Sequence, residues 1–260
     1  LSAVVCGPYD VISPAEREAL SRRSPYNAVL IELAEKGKAP AGGPSTGSGQ
    51  AGEATGLQGA SSSSAYEALA KTLQSWFSEG VLVRDEKPSY TILEERFQVE
   101  GKAYSRQSLW GAVKLSPFGQ GQVHPHEKTF PGPKEDRFKV LSATKMNLSP
   151  VFGMVSDPSG AMRKGLAEVL KRKPLSEAGY QGVELAVHRV EEKELSESFW
   201  KALKAQPVVI ADGHHRYETA LHYRAELGEK EGPVAEDYMM MALTSMSDPG
   251  LVLMPTHRML

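Results

Sequence analysis

Apolar residues recur along this chain in two rhythms that alternate from one segment to the next. Residues 65–78 place Leu69, Leu73, Trp76 and Phe77 at helical spacing, and Gly80 follows as a stop signal. Residues 89–99 and 102–115 alternate with a period of two around Glu100-Gly101. That pattern predicts a β-hairpin setting Tyr90, Ile92, Phe97 and Val99 against Tyr104, Leu109 and Trp110. Further on, strands are expected at 150–155 and 183–190, with helices at 159–172 and 192–205. The β-branched run Val208-Val-Ile210 predicts a buried strand, followed by an Asp212-Gly213 turn and a helix from His214 to about Gly228. The apolar stretch 238–246 predicts a buried element whose periodicity does not choose between strand and helix. Near the start, Ser13-Pro-Ala-Glu16 forms a capping box with proline at the first helical position, so a helix should run to about Arg23. Residues 27–33 and 81–83 read as short strands. The alternation implies an α/β fold: a mixed sheet with flanking helices, given α+β character by the central antiparallel hairpin.

Composition narrows this picture. At 260 residues the chain is long enough for one α/β domain or two closely packed lobes. A net charge of -2 and a pI near 6.4 argue against nucleic acid as a partner, because its phosphates demand a basic surface. Cys6 is the single cysteine, so an intrachain disulfide and a multi-thiolate zinc site are excluded, and a cytoplasmic setting fits. No apolar run reaches the length of a membrane span. Residues 36–63 are rich in glycine and serine and lack large apolar groups, so a disordered insertion is expected there. The chain begins at Leu1 and stops just after the strand-like 251–254, which reads as a piece lacking a C-terminal part.

Three polar clusters carry the candidate chemistry. Tyr9 and Asp10 follow Gly7-Pro8 on a turn before the first helix, where substrate-binding groups are often set. Residues 123–137 hold His124, His126, Glu127, Lys128, Thr129, Lys134, Asp136 and Arg137, stiffened by Pro125, Pro131 and Pro133. A helix is expected from about Lys134 to Met146, with Phe138, Leu141 and Met146 inward. Asp212-Gly-His-His-Arg216 sits between a strand and a helix. The free N–H groups and dipole of a helix N-terminus favour an anion, and His214, His215 and Arg216 make that anion a phosphate. Cations with carboxylates at such a place suit phosphoryl transfer: cations hold phosphates, a carboxylate holds Mg²⁺, and another takes the acceptor proton. A metal-dependent hydrolase using His124 and His126 is an alternative, weakened by Pro125 between them. Walker A, dinucleotide-fold and nucleophile-elbow motifs are absent. His188, alone on a strand, reads as structural.

With these residues in view, the chain resembles a bacterial and archaeal family known as domain of unknown function 1015. The resemblance rests on Gly7-Pro-Tyr-Asp-Val11, His126-Glu-Lys-Thr129 with Lys134 and Asp136-Arg137, Asp212-Gly-His-His-Arg-Tyr217 and Pro255-Thr-His-Arg258, in the family's order. Similar members continue past the last motif, which supports reading the chain as a piece. The glycine- and serine-rich insertion departs from the family pattern. The motif at 212–216 is also similar to the phosphate-binding turn of the ParB/sulfiredoxin superfamily, in which Gly-x-x-Arg opens a helix and holds nucleotide phosphates. Sulfiredoxins carry a cysteine where His214 stands, so sulfinic-acid reduction is not expected. ParB proteins bind CTP and add a DNA-binding domain that this acidic chain does not show. Free serine kinases of that superfamily use an Asp-Gly-His motif.

These resemblances imply a ParB/sulfiredoxin-like nucleotide-binding core and a Mg²⁺-dependent phosphotransferase using ATP or ADP. The expected substrate is a small hydroxylated metabolite, with serine or phosphoserine favoured. Gly213, His215, Arg216, Lys128, Thr129, Lys134 and Arg137 would bind phosphate, Tyr9 and Asp10 the substrate, and Asp212 the metal. Glu127, Asp212 and His214 would be catalytic. A nucleotide-binding regulatory module is the alternative.

Overall fold

The computed structural model describes residues 1–34, 58–129 and 131–252. Its centre is a mixed eight-stranded sheet with strand order β3-β7-β4-β8-β2-β1-β6-β5. The hairpin is as expected: β1 (Tyr90–Val99) pairs antiparallel with β2 (Lys102–Lys114), and Ile92 lies opposite Leu109. Glu100 and Gly101 both adopt positive φ, the geometry of a tight two-residue turn. β6 (Val183–Val190) extends the hairpin on one side, and β5 (Ser176–Tyr180) is the outer strand beyond it. On the other side β2 pairs with β8 (Tyr238–Ser245), so the apolar stretch whose type the sequence left open is a strand. β8 runs parallel to β4 (Val151–Val155), which pairs antiparallel with β7 (Val208–Asp212). The two-residue β3 (Val123–His124) closes that edge, parallel to β7.

The helices follow from their caps and apolar faces. α1 (Pro14–Arg23) starts at Ser13, whose hydroxyl accepts from the Glu16 amide at 3.2 Å. α5 (Ala161–Leu170) and α6 (Glu197–Lys204) turn Met162, Leu166 and Phe199 onto the sheet. There they meet Ile92, Leu109, Val151, Ile210 and Met241, joined by Tyr217 of α7 (His214–Glu226). A second apolar cluster joins α2 (Val29–Glu32), α3 (Gln58–Ser78) and α4 (Pro131–Thr144) through Ile31, Leu69, Leu73, Trp76 and Val140. α4 packs along α7 and links the two clusters.

Several expectations need correction. Residues 27–33 form the short helix α2 and its flanks, because Ile31 buries against α3 and α4 instead of a sheet. Residues 81–83 are not a strand; Val83 is exposed and no strand pairs with it. α3 reaches back to Gln58, so residues 58–63 are helical instead of disordered. The rest of the expected insertion and the Pro255–Arg258 motif lie outside the described residues. No helix among the described residues is long and apolar enough to cross a membrane. His188 is buried in β6, as a structural residue would be.

Candidate functional site

The N-terminus of α7 is where the three polar clusters meet. β7 ends at Asp212, Gly213 turns the chain at φ +94°, and α7 begins at His214. The first intrahelical bond runs from the Tyr217 amide to the Gly213 carbonyl at 3.0 Å. The amides of residues 214–216 therefore have no partner within the helix, and Gly213 has no side chain to cap them.

Arg216 folds back over this turn. Its Nη2 donates to Asp212 Oδ2 at 2.5 Å, and its Nη1 donates to the Pro150 carbonyl. Tyr9 arrives from the N-terminal turn and lays its ring between two guanidinium groups, 4.0 Å from that of Arg137 and 5.9 Å from that of Arg216. Burial pushes the Tyr9 phenol up, against the downward pull of Arg137 and Arg216. Arg137 lies beneath the ring, only 6% exposed, and is matched by Asp136 at 2.7 Å and by the Glu32 carbonyl at 3.0 Å. Asp136 also accepts from the Tyr66 hydroxyl at 2.8 Å. Burial raises the Glu32 carboxyl, although Arg137 opposes it.

His214 is buried, at 1% exposure. The His126 amide donates to its Nε2 at 3.3 Å, so the ring proton sits on Nδ1. That Nδ1 lies 2.9 Å from Glu127 Oε1 but is not aligned for a hydrogen bond, which leaves a buried donor without a partner. Burial pushes the His214 imidazole below its ordinary value, against the pull of Glu127, so the ring is neutral. His126 is fixed in turn by its Nδ1, 2.5 Å from the Ile210 carbonyl. A half-buried third group completes the site: Glu218, one turn into α7, accepts from Thr129 Oγ1 and Lys134 Nζ, each at 2.5 Å. Burial pushes the Glu218 carboxyl up, but the Lys134 and Thr129 bonds outweigh it and hold the carboxyl below its usual range.

The sequence of this site belongs to one family. The chain is a member of the family described as Protein of unknown function (DUF1015), whose model matches residues 1–260. No curated protein and no solved structure matches it. In this DUF1015 chain three of the family motifs meet around α7: Tyr9 joins Arg137 to Arg216 and Asp212, Glu127 lies against His214, and Lys134 is held by Glu218. Lys128 is exposed and makes no ion pair with any described residue, and Asp10 is exposed next to Tyr9. His124 sits on the edge strand β3. Among the described residues, no three His, Cys, Asp or Glu side chains group to hold a metal ion. Asp212 presents one carboxylate oxygen to Arg216 and keeps the other without a partner among the described residues, with 57% of its side chain exposed. Such a group suits a Mg²⁺ that takes its remaining ligands from water and phosphate.

Three participants escaped the sequence reading. Glu218 reads as an ordinary helical acid, yet it lies on the same face of α7 as His214 and His215, four and three residues on respectively. Glu32 was concealed by the misreading of 27–33 as a strand. The Pro150 carbonyl leaves no trace in side-chain patterns.

Proposed function

We propose that this protein is a Mg²⁺-dependent phosphotransferase that uses ATP or ADP and acts on a small hydroxylated metabolite, with serine or phosphoserine favoured. The observation that carries the reading is the start of α7, where the amides of residues 214–216 have no partner within the helix and Arg216 folds over the turn beside the buried His214. Such a helix end, with its dipole and a guanidinium beside it, favours an oxyanion.

In this reading the core is of ParB/sulfiredoxin type, carried by Gly213-x-x-Arg216, and the setting is cytoplasmic. The amides at 214–216, with Arg216 and His215, hold the nucleotide phosphates. Lys128, Thr129 and Lys134 meet the transferred group. Arg137, buried under Tyr9, supports that ring, and Tyr9 and Asp10 border the acceptor. Glu127 removes the acceptor hydroxyl proton as the oxygen–phosphorus bond forms and the bond to the departing nucleotide breaks. His214 keeps Glu127 in place. Mg²⁺ held at Asp212 would supply neutralisation of the phosphate charge. That neutralisation is needed here, because Asp10, Glu32, Glu127, Asp136, Asp212 and Glu218 outnumber the nearby cations.

The test is a thermal-shift series with ATP, ADP, CTP and GTP, with and without Mg²⁺. Nucleotide at about a hundred times Kd adds roughly 2.7 kcal/mol. Arg216→Ala should lose this shift, and unchanged ATP and ADP affinity in that variant would sink the reading. A second reading has one observation in its favour: Lys134 and Arg216 are already paired with Glu218 and Asp212, so a phosphate must exchange these contacts. That is how a nucleotide-driven regulatory switch would behave. Glu127→Gln separates the two, since lost turnover with retained binding belongs to the enzyme alone.

A further inference from the structure

Three consecutive residues at the end of β5 and in the turn after it hold the N-terminal segment. The Gly179 amide donates to Ser2 Oγ at 2.8 Å. The Tyr180 hydroxyl donates to Glu16 Oε1 at 3.2 Å, and Gln181 Nε2 donates to the same oxygen at 2.9 Å. The backbone of Gly7 also meets the Tyr180 hydroxyl: a β-carbon at position 7 would lie 3.3 Å from Tyr180 Oη. Burial pushes the Tyr180 phenol up; the Gly7 amide pulls it down, and the bond to Glu16 raises it further. One hydroxyl therefore touches Gly7 and Glu16, which flank the turn that carries Tyr9 and Asp10.

That turn has little slack. Pro8 alone separates Gly7 from Tyr9, and its ring fixes φ. The Val11 amide closes the turn on the Pro8 carbonyl at 3.2 Å. Ser13 then caps α1 through the Glu16 amide, so Glu16 moves with the far end of the turn. Asn27 fixes the stretch before it, donating to the Ala3 and Val5 carbonyls at 2.9 and 3.1 Å. β5 is the outer strand of the sheet, and five strands stand between it and β7. The N-terminal segment thus ties the far edge of the sheet to the start of α7, where Tyr9 lies against Arg137 and Arg216.

We propose that Tyr180 is a positioning residue for the acceptor side of the site. Its hydroxyl holds both flanks of the turn and so sets the ring of Tyr9 over Arg137. It acts through Tyr9 and not by contact with a ligand. The role at the acceptor rests on the phosphotransferase reading, whereas the seating of Tyr9 belongs to the fold alone.

The experiment reads the two separately. Tyr180→Phe keeps the ring and removes the hydroxyl. In that variant the Arg137 Nε–H resonance, which the Tyr9 ring current shifts, should move toward its position in Tyr9→Leu. With ATP and serine, the KM for serine should rise about twofold to tenfold, the scale of one hydrogen bond, while the thermal shift by ATP is kept. In a Tyr9→Leu background Tyr180→Phe should add nothing to that KM, because its effect runs through the ring. An Arg137 resonance at its native position in Tyr180→Phe overturns the proposal, as does an undiminished KM effect in the Tyr9→Leu background. If Tyr180→Phe does not fold, Glu16→Ala decides by the same resonance: movement toward the Tyr9→Leu position supports the brace, and the native position overturns it. Absence of turnover with ATP and serine bears on the phosphotransferase reading, and the resonance still decides the seating of Tyr9.

Discussion

Arg216 and Gly213 fit against each other so closely that no side chain can stand between them. A β-carbon at position 213 would lie 2.9 Å from Arg216 Nη2 and 3.0 Å from its Cζ. The residue also sits at φ +94°, which side chains other than glycine's tolerate poorly. Gly213→Ala should therefore cost about 1–3 kcal/mol of stability, read by urea denaturation. It should also weaken nucleotide binding by displacing the guanidinium. A variant as stable as the parent would show that the turn relaxes freely.

Arg137 is a structural cation before it is anything else. Removing it takes the guanidinium away from the buried Glu32 and from Asp136, which keeps the Tyr66 hydroxyl, and a broken buried pair typically costs about 3–5 kcal/mol. Arg137→Ala should lose stability on that scale. Adding Glu32→Gln should restore part of it, because the carboxyl that burial already pushes up no longer needs a cation. Equilibrium unfolding of the single and double variants measures both effects.

His214 should remain neutral where a free histidine has begun to charge, since burial holds it below the ordinary 6.5. The sign follows from proton counting. Between the ordinary value and the lowered one, the unfolded chain binds a proton that the folded chain refuses. Stability from this group is therefore complete above about pH 6.5 and is lost as pH falls toward the folded pKa. The native protein should lose more stability over that interval than His214→Gln. A long-range ¹H–¹⁵N spectrum should place the ring proton on Nδ1.

In the proposed reading Glu218 competes with the phosphate for Lys134. Freed of it, Lys134 should serve a nucleotide better, so Glu218→Gln should bind Mg²⁺-nucleotide about twofold to fivefold more tightly, the scale of a half-exposed ion pair. Lys134→Met should bind more weakly. Calorimetric titration of both variants checks the pair, and weaker binding in Glu218→Gln would assign that carboxylate a direct role at the ligand.

Much of this architecture was legible because its signals are local. The hairpin β1–β2 announced itself through alternation and Glu100-Gly101, and α7 through a β-branched run, a glycine turn and helical spacing. Residues 27–33 misled because a short apolar run fits strand and helix equally, and only the packing of Ile31 against α3 and α4 decides between them. β5 (Ser176–Tyr180) was missed because it carries little apolar alternation. Its one cue was the positive-φ pair Gln181-Gly182, the same turn chemistry as in the first hairpin. At the site, residue types pointed to the right stretches, but partners did not. Nothing local says that Arg137 is buried beneath Tyr9, or that Lys134 is claimed by an acid of α7.

The seat of Tyr9 has a consequence for how the molecule is made. The ring is synthesised well before its two arginine partners, which stand at positions 137 and 216. No partial chain ending before α7 can complete that stack or the helix end beside it. In the proposed reading a nascent chain therefore lacks the phosphate site until α7 has been made. Ligand present during synthesis would favour only molecules whose two ends have already come together.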